Sequence, residues 1–508
     1  MALDTAVAAA RTCYSARGPH LPDEVLGRRG EDLEQRRQRR DALARSLYQA
    51  GHHTTFQHAH FMFVLEGVSR QFVWSFLHSH PFANSEQVSQ RYVTVAPDAV
   101  SRPALDPGAA AVFDATVARL HGAYLKLVEL LLPAVEAELL ARFPGWRRHP
   151  KRLQREGGRK AQEVARAVLP LATHTSLYHT VSCLTLFRYQ RLCRQLEVPA
   201  ETRAVVETMV GAVLEHDPDL AAVMREPLPV EETPEYRLLA EFLAAGPQLG
   251  AFRAEFDAVL GGRVSRLLDG GGSNVATVAA AVRAVFGLLR AQLADEEAVR
   301  LALDPAANTL LGDDLNLTTM SKLGRCLHHA RYTFAKKLSH AADSQDQRHR
   351  MTPAARPLLT AVVDDQPDVV VPRLIRHVDG EALAVFERAV EQAWEGARGL
   401  VRNGVPPGEA LGLLPNALAI RFVESADLLN LHHKHRMRLC YNSQEEIWQA
   451  SLDEAQQIAE REEAIGRWLL PPCAVRHRAG VKPFCPEGER FCGVPVWRLR
   501  PDDFRRVI

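Results

Sequence analysis

The sequence predicts an α+β fold that is built twice along the chain. At 508 residues the chain exceeds the roughly 250–300 residues at which a single hydrophobic core stops growing. Short segments of the first half recur in the same order in the second half. Long amphipathic helical patterns outnumber a few alternating, aromatic-rich segments of the kind that form strands. We therefore expect two tandem copies of a mostly helical α+β unit.

The internal repeat rests on matched segments. Arg191-Leu192-Cys193 recurs as Arg438-Leu439-Cys440, and a Leu-Pro pair ends an apolar helical pattern at both Pro170 and Pro415. Residues 77–93 and 337–351 each carry Ser-His followed by a polar run with arginine, and the openings near residues 4 and 273 agree loosely. The predicted boundaries are 1–228 for copy 1, 229–249 for a linker and 250–508 for copy 2.

The linker prediction comes from residues 225–237, which are rich in proline and acidic side chains, as exposed connections are. Residues 269–273 read as a turn at the start of copy 2. Apolar residues spaced three and four apart predict helices over 113–143 and 384–404, and Gly404 can end the second one. Residues 58–74 alternate and then change period, which predicts a strand that feeds a helix.

Composition and charge exclude several classes of function. Lys and Arg total 62 against 61 Asp and Glu, so the chain has no overall attraction for nucleic acid or anionic membranes. The arginine-rich stretches 27–41 and 146–160 are interpreted as solvated faces. The sequence shows no secretory signal and no window of eighteen apolar residues, and eight cysteines are too few for a disulfide scaffold. We expect a cytoplasmic protein that binds neither nucleic acid nor membrane.

The segment 51–93 resembles the central block of the flavin-dependent thymidylate synthase (ThyX) family. In its second half, family positions are matched at or within one residue by Asn84, Ser85, Glu86, Gln87, Ser89, Arg91 and Tyr92. In its first half, the family signature R-H-R is replaced by His-Ser-His at 78–80, so both arginines are missing.

Two further segments carry the resemblance. Residues 158–193 resemble the family's A-R-x-x-L-P segment and the helix after it, with Arg166 at the phosphate-binding arginine and Ser182 at a flavin-contacting asparagine. Residues 436–448 of copy 2 resemble the family's terminal motif, with Arg438 and Gln444 at matching spacings. Copy 2 has lost other positions, since Leu411 replaces the phosphate arginine. Neither copy carries the complete motif.

The resemblance implies a fold and a reaction. Each copy should be a small, twisted, mainly antiparallel sheet packed with several helices, and two chains should form a homodimer that reproduces a tetramer of such units. The implied enzyme methylates dUMP to dTMP, with FAD as hydride carrier, NADPH as reductant and methylenetetrahydrofolate as carbon donor. Because R-H-R is missing from both copies, the alternative is an inactive or repurposed relative that binds a nucleotide, a flavin or a protein partner.

The resemblance also assigns residues. Ser89 and Arg91 are the expected catalytic residues, with Ser89 positioning and polarising the uracil, since a serine without an adjacent base is a weak nucleophile. The expected substrate-binding residues are Glu86, Gln87, Ser89, Arg91, Arg166, Arg438 and Gln444. The expected cofactor-binding residues are His52, Thr54, His78, His80 and Ser182.

Simple electrostatics supports the substrate assignment. A nucleoside monophosphate carries about two negative charges, and arginine side chains bind phosphate oxygens in bidentate fashion. Arg91 and Arg166 belong to copy 1, whereas Arg438 belongs to copy 2. We therefore expect that a nucleotide pocket, if one forms, is a hybrid between the copies.

The sequence contains two groups of potential metal ligands. Cys473, His477, Cys485 and Cys492 gather near the C-terminus, but their spacing lacks the paired C-x2-C pattern of zinc sites. We expect reduced, buried cysteines and no metal. The histidine-rich run 432–435 lies just before Arg438, and a role near a phosphate or flavin is favoured there over metal ligation.

Overall fold

The computed structural model describes residues 2–26, 32–77, 82–91, 93–195, 198–224, 229–246, 248–313, 317–378, 380–506 and 508. Helices and antiparallel strands are mixed, and each half of the chain contributes one small sheet. The predicted combination of helices with antiparallel sheets is confirmed. Among the described residues, none of the helices is both long and apolar enough to cross a membrane.

The first half begins and ends in helices, with three strands between them. Its elements are α1 (Ala2–Thr12), α2 (Pro22–Val25), α3 (Leu33–Gln49), β1 (His60–Ser69), α4 (Arg70–Leu77), β2 (Ala83–Gln87), α5 (Pro107–Arg142), α6 (Pro150–Ala165), β3 (His174–Ser182), α7 (Cys183–Gln195) and α8 (Ala200–His216).

The second half starts after two connecting helices. The connecting helices are α9 (Pro234–Ala245) and α10 (Leu249–Leu260). Copy 2 then contains β4 (Ser265–Asp269), α11 (Asn274–Phe286), α12 (Asp295–Leu303), α13 (Leu310–Asp313), α14 (Leu317–Met320), α15 (Lys322–Arg325), β5 (Arg331–Ser339), α16 (His340–Asp346), β6 (Ala354–Ala355), α17 (Leu359–Val362), α18 (Arg373–His377), α19 (Gly380–Arg402), α20 (Pro407–Ala410), β7 (Ala419–Asp427), α21 (Leu428–Arg438), α22 (Glu445–Arg461), α23 (Glu463–Gly466) and α24 (Pro472–Arg478).

The predicted elements are present, with small shifts at their ends. The helix expected over 113–143 is α5, and the one expected over 384–404 is α19, after which Gly404 adopts a positive φ of 81°. The strand predicted within 58–74 is β1, and it passes directly into α4. The predicted linker 229–249 is not all loop, since α9 lies inside it.

The two sheets share a common plan. The first has the order β1-β3-β2 and the second β4-β5-β7-β6, with antiparallel pairing throughout. In each copy a serine ends a strand and caps the following helix: Ser69 Oγ accepts from Phe72 N at 2.9 Å, and Ser339 Oγ accepts from Ala342 N at 3.1 Å. The repeat is therefore visible down to individual caps.

A glutamate from a later helix holds each of these serines. Glu201 accepts hydrogen bonds from the backbone N–H of Ser69, at 2.8 Å, and from its hydroxyl. Glu446 accepts the same two bonds from Ser339, with 2.7 Å to the hydroxyl. In each copy, the start of the helix that follows this strand is therefore tied to the C-terminal part of the same copy.

The two copies are joined by backbone pairing around their Leu-Pro segments. Leu171 N donates to Leu414 O, and Asn416 N donates back to Leu169 O, both at 2.8 Å. A second reciprocal pair joins residue 172 to 412 and residue 417 to 167, also at 2.8 Å. Exchanging copy 1 for copy 2 leaves this pattern of backbone hydrogen bonds unchanged, so an approximate two-fold axis runs between the copies. One hydrophobic core cluster contains residues of both copies.

Helices α5 and α19 pack closely across the same interface. A Cβ placed on Gly396 of α19 would lie 2.5 Å from Oγ1 and 3.0 Å from Cβ of Thr116 on α5. A Cβ on Gly399 would lie 3.1 Å from a methyl group of Val112. The missing side chains let the helices approach to this distance, because protein interiors have no spare volume to absorb a methyl group.

This packing predicts opposite effects for two glycine-to-alanine substitutions. Gly396→Ala is expected to lower the free energy of unfolding by about 1–3 kcal/mol, since its methyl group overlaps Thr116. Gly122→Ala is the control: Gly122 is exposed in α5 with nothing near its Cβ, so the change should stabilise by about 0.5–1 kcal/mol. Urea denaturation measures both, and equal effects would contradict the close approach.

Candidate functional site

A polar cavity of about 170 Å³ lies between the two copies. Copy 1 supplies one side of its lining and copy 2 the other. Its lining includes Arg70, Gln87, Ser89, Gln90, Arg91 and Arg166 from copy 1, and Ser344, Gln345, Arg348, Asn416 and Arg438 from copy 2. Five of these residues are arginines, so the cavity is strongly basic.

Arg166 is the most deeply buried of the five, with only 6% of its surface exposed. It follows α6 in a single turn of 3-10 helix, and Asn416 of copy 2 donates to its carbonyl oxygen at 3.1 Å. Among the described residues, its Nε and Nη2 atoms have no hydrogen-bond partner. Burial lowers the pKa of Arg166 to about 10, against the opposing effect of Glu163. An anion would relieve this cost.

Arg91 is clamped between the two copies. Its Nε donates to Glu163 Oε2 of α6 at 2.5 Å, and its Nη2 donates to the carbonyl oxygen of Asn442 at 2.6 Å. Burial acts to raise the pKa of Glu163, but Lys160, Arg91 and Arg166 together hold it well below its usual range. Glu163 therefore stays ionised and fixes Arg91 at the edge of the cavity.

Arg438 enters from copy 2 as the last residue of α21. Its Nε donates to Nε2 of His349 at 2.9 Å, and its Nη2 donates to the carbonyl oxygen of Gln345 at 2.8 Å. Burial, followed by the charge of Arg438, lowers the pKa of His349 well below its usual value, so the ring is neutral and can accept this bond. Burial also lowers the pKa of Arg438 to about 10.

Two arginines of the cavity were not among the predicted site residues. Arg70, the first residue of α4, donates to the carbonyl oxygen of Val88 at 2.8 Å, and burial together with nearby Arg166 lowers its pKa to about 9. Arg348 donates to Glu86 at 2.6 Å across the two copies. The Ser-Arg pair at the end of the predicted strand was the available signal for Arg70.

Five of the seven predicted substrate-binding residues line this one cavity. The other two lie at its border. Glu86 pairs with Arg348, and Gln444 accepts a bond of 3.4 Å from Gln345 and lines an adjoining cavity of about 260 Å³. Residues from both copies therefore meet, as the hybrid-site hypothesis requires, and their role in binding stays a prediction. The five residues in the cavity are Gln87, Ser89, Arg91, Arg166 and Arg438.

Ser89 has a local structural contact. Its hydroxyl oxygen accepts a bond from the backbone N–H of Arg91 at 3.3 Å. This contact closes a short turn and directs the Arg91 side chain towards copy 2.

The described residues predicted to contact flavin do not line the inter-copy cavity. His52 and Thr54 are exposed at the 3-10 turn His53–Gln57. Ser182 is buried, and its hydroxyl oxygen accepts from the backbone N–H of Thr185 at 3.2 Å to cap α7. His78 and His80 lie outside the described residues. This set does not form a common flavin cradle within the described part of one chain, so no step is derived through flavin.

The side chains of the run 432–435 lie in different surroundings. His433 lies beside His349, the partner of Arg438, with 5.9 Å between ring centroids. Lys434 is fully buried in the core of copy 2, where it binds Asp346 at 3.1 Å and also Glu424. Lys336 joins the same cluster, 2.6 Å from Asp346. His435 is also buried and bonds Glu454 at 2.9 Å. These residues form a buried ion network, because each charge placed in the core needs a partner.

Comparison with known proteins decides the family. A family model described as thymidylate synthase complementing protein matches residues 1–219 and 273–461, well over half of the chain. The chain belongs to this family. Its two matched segments agree with the tandem copies. The first segment covers the whole β1-β3-β2 sheet, and the second covers β5, β6 and β7 of the other sheet.

Individual relatives are similar over about a third of the chain. A flavin-dependent thymidylate synthase from Nitratidesulfovibrio vulgaris is 30% identical over 196 residues, which is 37% of this chain and 69% of the relative. One from Geobacter sulfurreducens is 29% identical over 171 residues, covering 33% and 70%. One from Sulfurisphaera tokodaii is 25% identical over 152 residues, covering 29% and 58%. These lengths correspond to a single copy.

Proposed function

We propose that the chain binds a pyrimidine nucleoside 5′-monophosphate, dUMP in particular, in the cavity between its two copies. The observation that carries this proposal is the buried guanidinium of Arg166, which lines the cavity with two nitrogens unpartnered among the described residues. A buried donor left without an acceptor costs about 1–3 kcal/mol, and more when the group is charged. A phosphate offers the bidentate acceptors that match its fork.

The charges around the cavity leave room for a dianion. Arg91 is paired with Glu163, and Arg348 with Glu86. Arg70 and Arg438 donate to carbonyl oxygens and an imidazole. Arg70, Arg166 and Arg438 therefore supply up to three positive charges. Among the described residues, none of these three side chains donates a hydrogen bond to a carboxylate. Two or three guanidinium groups are what a phosphate of two negative charges requires.

The base end of the cavity suits a pyrimidine with a uracil-like edge. Gln87 and Gln90 both line it, and among the described residues Gln87 Oε1 and Gln90 Nε2 are buried without a hydrogen-bond partner. Uracil presents one N–H donor flanked by two carbonyl acceptors. A free amide acceptor and a free amide donor complement that pattern, and Ser89 lies between them in the sequence.

The nucleotide proposal is tested by titration calorimetry with dUMP and with deoxyuridine, which lacks the phosphate. Arg166→Gln and Arg438→Gln, one from each copy, should each weaken dUMP binding roughly tenfold to a hundredfold, since each removes charge-assisted hydrogen bonds of about 1.5–3 kcal/mol. Deoxyuridine should bind weakly to all forms. The exposed Arg119 on α5 provides the matched control Arg119→Gln, which should leave affinity unchanged.

An unchanged dUMP affinity in both cavity variants would remove the hybrid site. A loss in Arg166→Gln alone would confine binding to copy 1 and contradict the contribution of Arg438. Added salt should weaken dUMP binding to the parent chain, and it should weaken binding to each variant less. This difference is a further signature of a phosphate contact.

The second candidate function is thymidylate synthesis itself, favoured by family membership and by Ser89, Arg91 and Arg166 lining one cavity. It predicts a yellow protein whose flavin, once reduced by NADPH, is reoxidised by dUMP and methylenetetrahydrofolate together. The measurement is the absorption spectrum with and without added FAD. A colourless protein that binds dUMP and does not take up FAD would reject this candidate and leave nucleotide binding intact.

We also propose that two chains associate through the first sheet. Met62, Val64 and Tyr178 are 54–69% exposed, and Val64 faces Tyr178 across the β1-β3 pair. The opposite side of β1 packs on the copy 1 core through Phe61 and Phe63. An apolar sheet face open to water is typical of a protein interface.

Sedimentation tests this association. The chain should sediment as a dimer, and Val64→Lys should shift it to a monomer because a charge replaces an apolar side chain on the sheet face. Leu125→Lys is the control, since Leu125 is 50% exposed on α5, away from this sheet. A parent chain that stays monomeric at high concentration would overturn the proposal.

A further inference from the structure

Four cysteines from the C-terminal part of the chain line one small cavity. Cys440 follows α21, Cys473 lies in α24, and Cys485 and Cys492 lie in the segment after α24. All four are free thiols. The cavity measures about 10 Å³, close to the space that a single water molecule requires. It can hold one small ion and nothing larger.

We propose that Cys440, Cys473, Cys485 and Cys492 bind one Zn²⁺ ion as four thiolates. Four cysteines around a single metal are the ligand set of structural zinc sites. The sequence grouped Cys473, Cys485 and Cys492 with His477 instead. In the structure His477 packs its ring against Phe484, with 4.7 Å between ring centroids, and does not line the cavity. Cys440 takes the fourth position.

Zinc binds cysteine as the thiolate, so binding at this site should release the thiol protons. The Cys492 thiol donates to Val494 O at 3.5 Å, a bond that ionisation on metal binding would remove.

The sulfurs must move inward to ligate the ion. Within the described part of the chain, no group of three or more His, Cys, Asp or Glu side chains already has the arrangement of a metal site. Each cysteine sulfur moves by rotation about a single bond, χ1, while its backbone stays in place. Zinc should draw the four sulfurs from the cavity wall to the Zn–S distance of about 2.3 Å.

This site would hold the C-terminal segment against the loop that anchors Arg91. Cys440 lies two residues after Arg438, and the carbonyl oxygen of Asn442 accepts from Arg91. The Asn442 side chain donates to Arg490 O at 2.6 Å, within the stretch between Cys485 and Cys492. The zinc proposal does not depend on nucleotide binding, since its ligands lie outside the basic cavity.

The experiment is metal analysis of the full chain, purified without chelators and passed through gel filtration. We expect about one zinc ion per chain, as a four-cysteine site holds one metal. Cys485→Ser and Cys492→Ser should lose the metal. Cys13→Ser, which changes an exposed cysteine, and His477→Ala should both retain it.

A second measurement, made on the parent chain, tests the site even if the cysteine variants fail to fold. The parent chain loaded with Co²⁺ should show thiolate-to-cobalt charge-transfer absorption and the visible bands of tetrahedral cobalt. Loss of zinc in His477→Ala would overturn the four-cysteine ligand set. Three results for the parent chain would overturn the zinc site. The chain could contain no metal and four reactive thiols, it could contain a disulfide among the four cysteines, or it could contain iron and sulfide in place of zinc.

Discussion

The pairing of the two Leu-Pro segments is the constraint on which the rest of the structure depends. Leu171 and Asn416 exchange backbone hydrogen bonds with Leu414 and Leu169 across an approximate two-fold axis. These backbone groups are buried, and separating the copies would leave them unpaired, which is costly. The segment begins at Arg166 in copy 1, so the same pairing places that arginine against copy 2. The position of the basic cavity therefore follows from how the copies are joined.

The frame is symmetric, but its side chains are not. Arg166 of copy 1 corresponds to Leu411 of copy 2, which is buried among apolar residues. His349 of copy 2 accepts a hydrogen bond from Arg438 and so supports it. The core of copy 2 holds a buried network around Lys336 and Lys434. Residues of both copies line the cavity, Arg91 and Arg166 from copy 1 and Arg438 from copy 2.

A continuous set of contacts connects the cavity to the C-terminus. Glu163 holds Arg91, Arg91 binds the carbonyl oxygen of Asn442, and the side chain of Asn442 binds the backbone at Arg490. The arginine that defines the cavity edge is therefore oriented from both copies and from the C-terminal segment. Rigid support of this kind is what precise placement of a phosphate requires.

The sequence by itself determined the duplication, the mixture of helices and antiparallel strands, the β1 to α4 transition and five cavity residues, because periodicity and motifs are local properties of the chain. Only the tertiary structure decided that Arg70 and Arg348 share the cavity, that His349 supports Arg438, and that Cys440 rather than His477 joins the other cysteines. The reason is physical: the contact of Arg91 with Asn442 spans 351 residues, and such contacts arise from packing between copies, which no local pattern encodes.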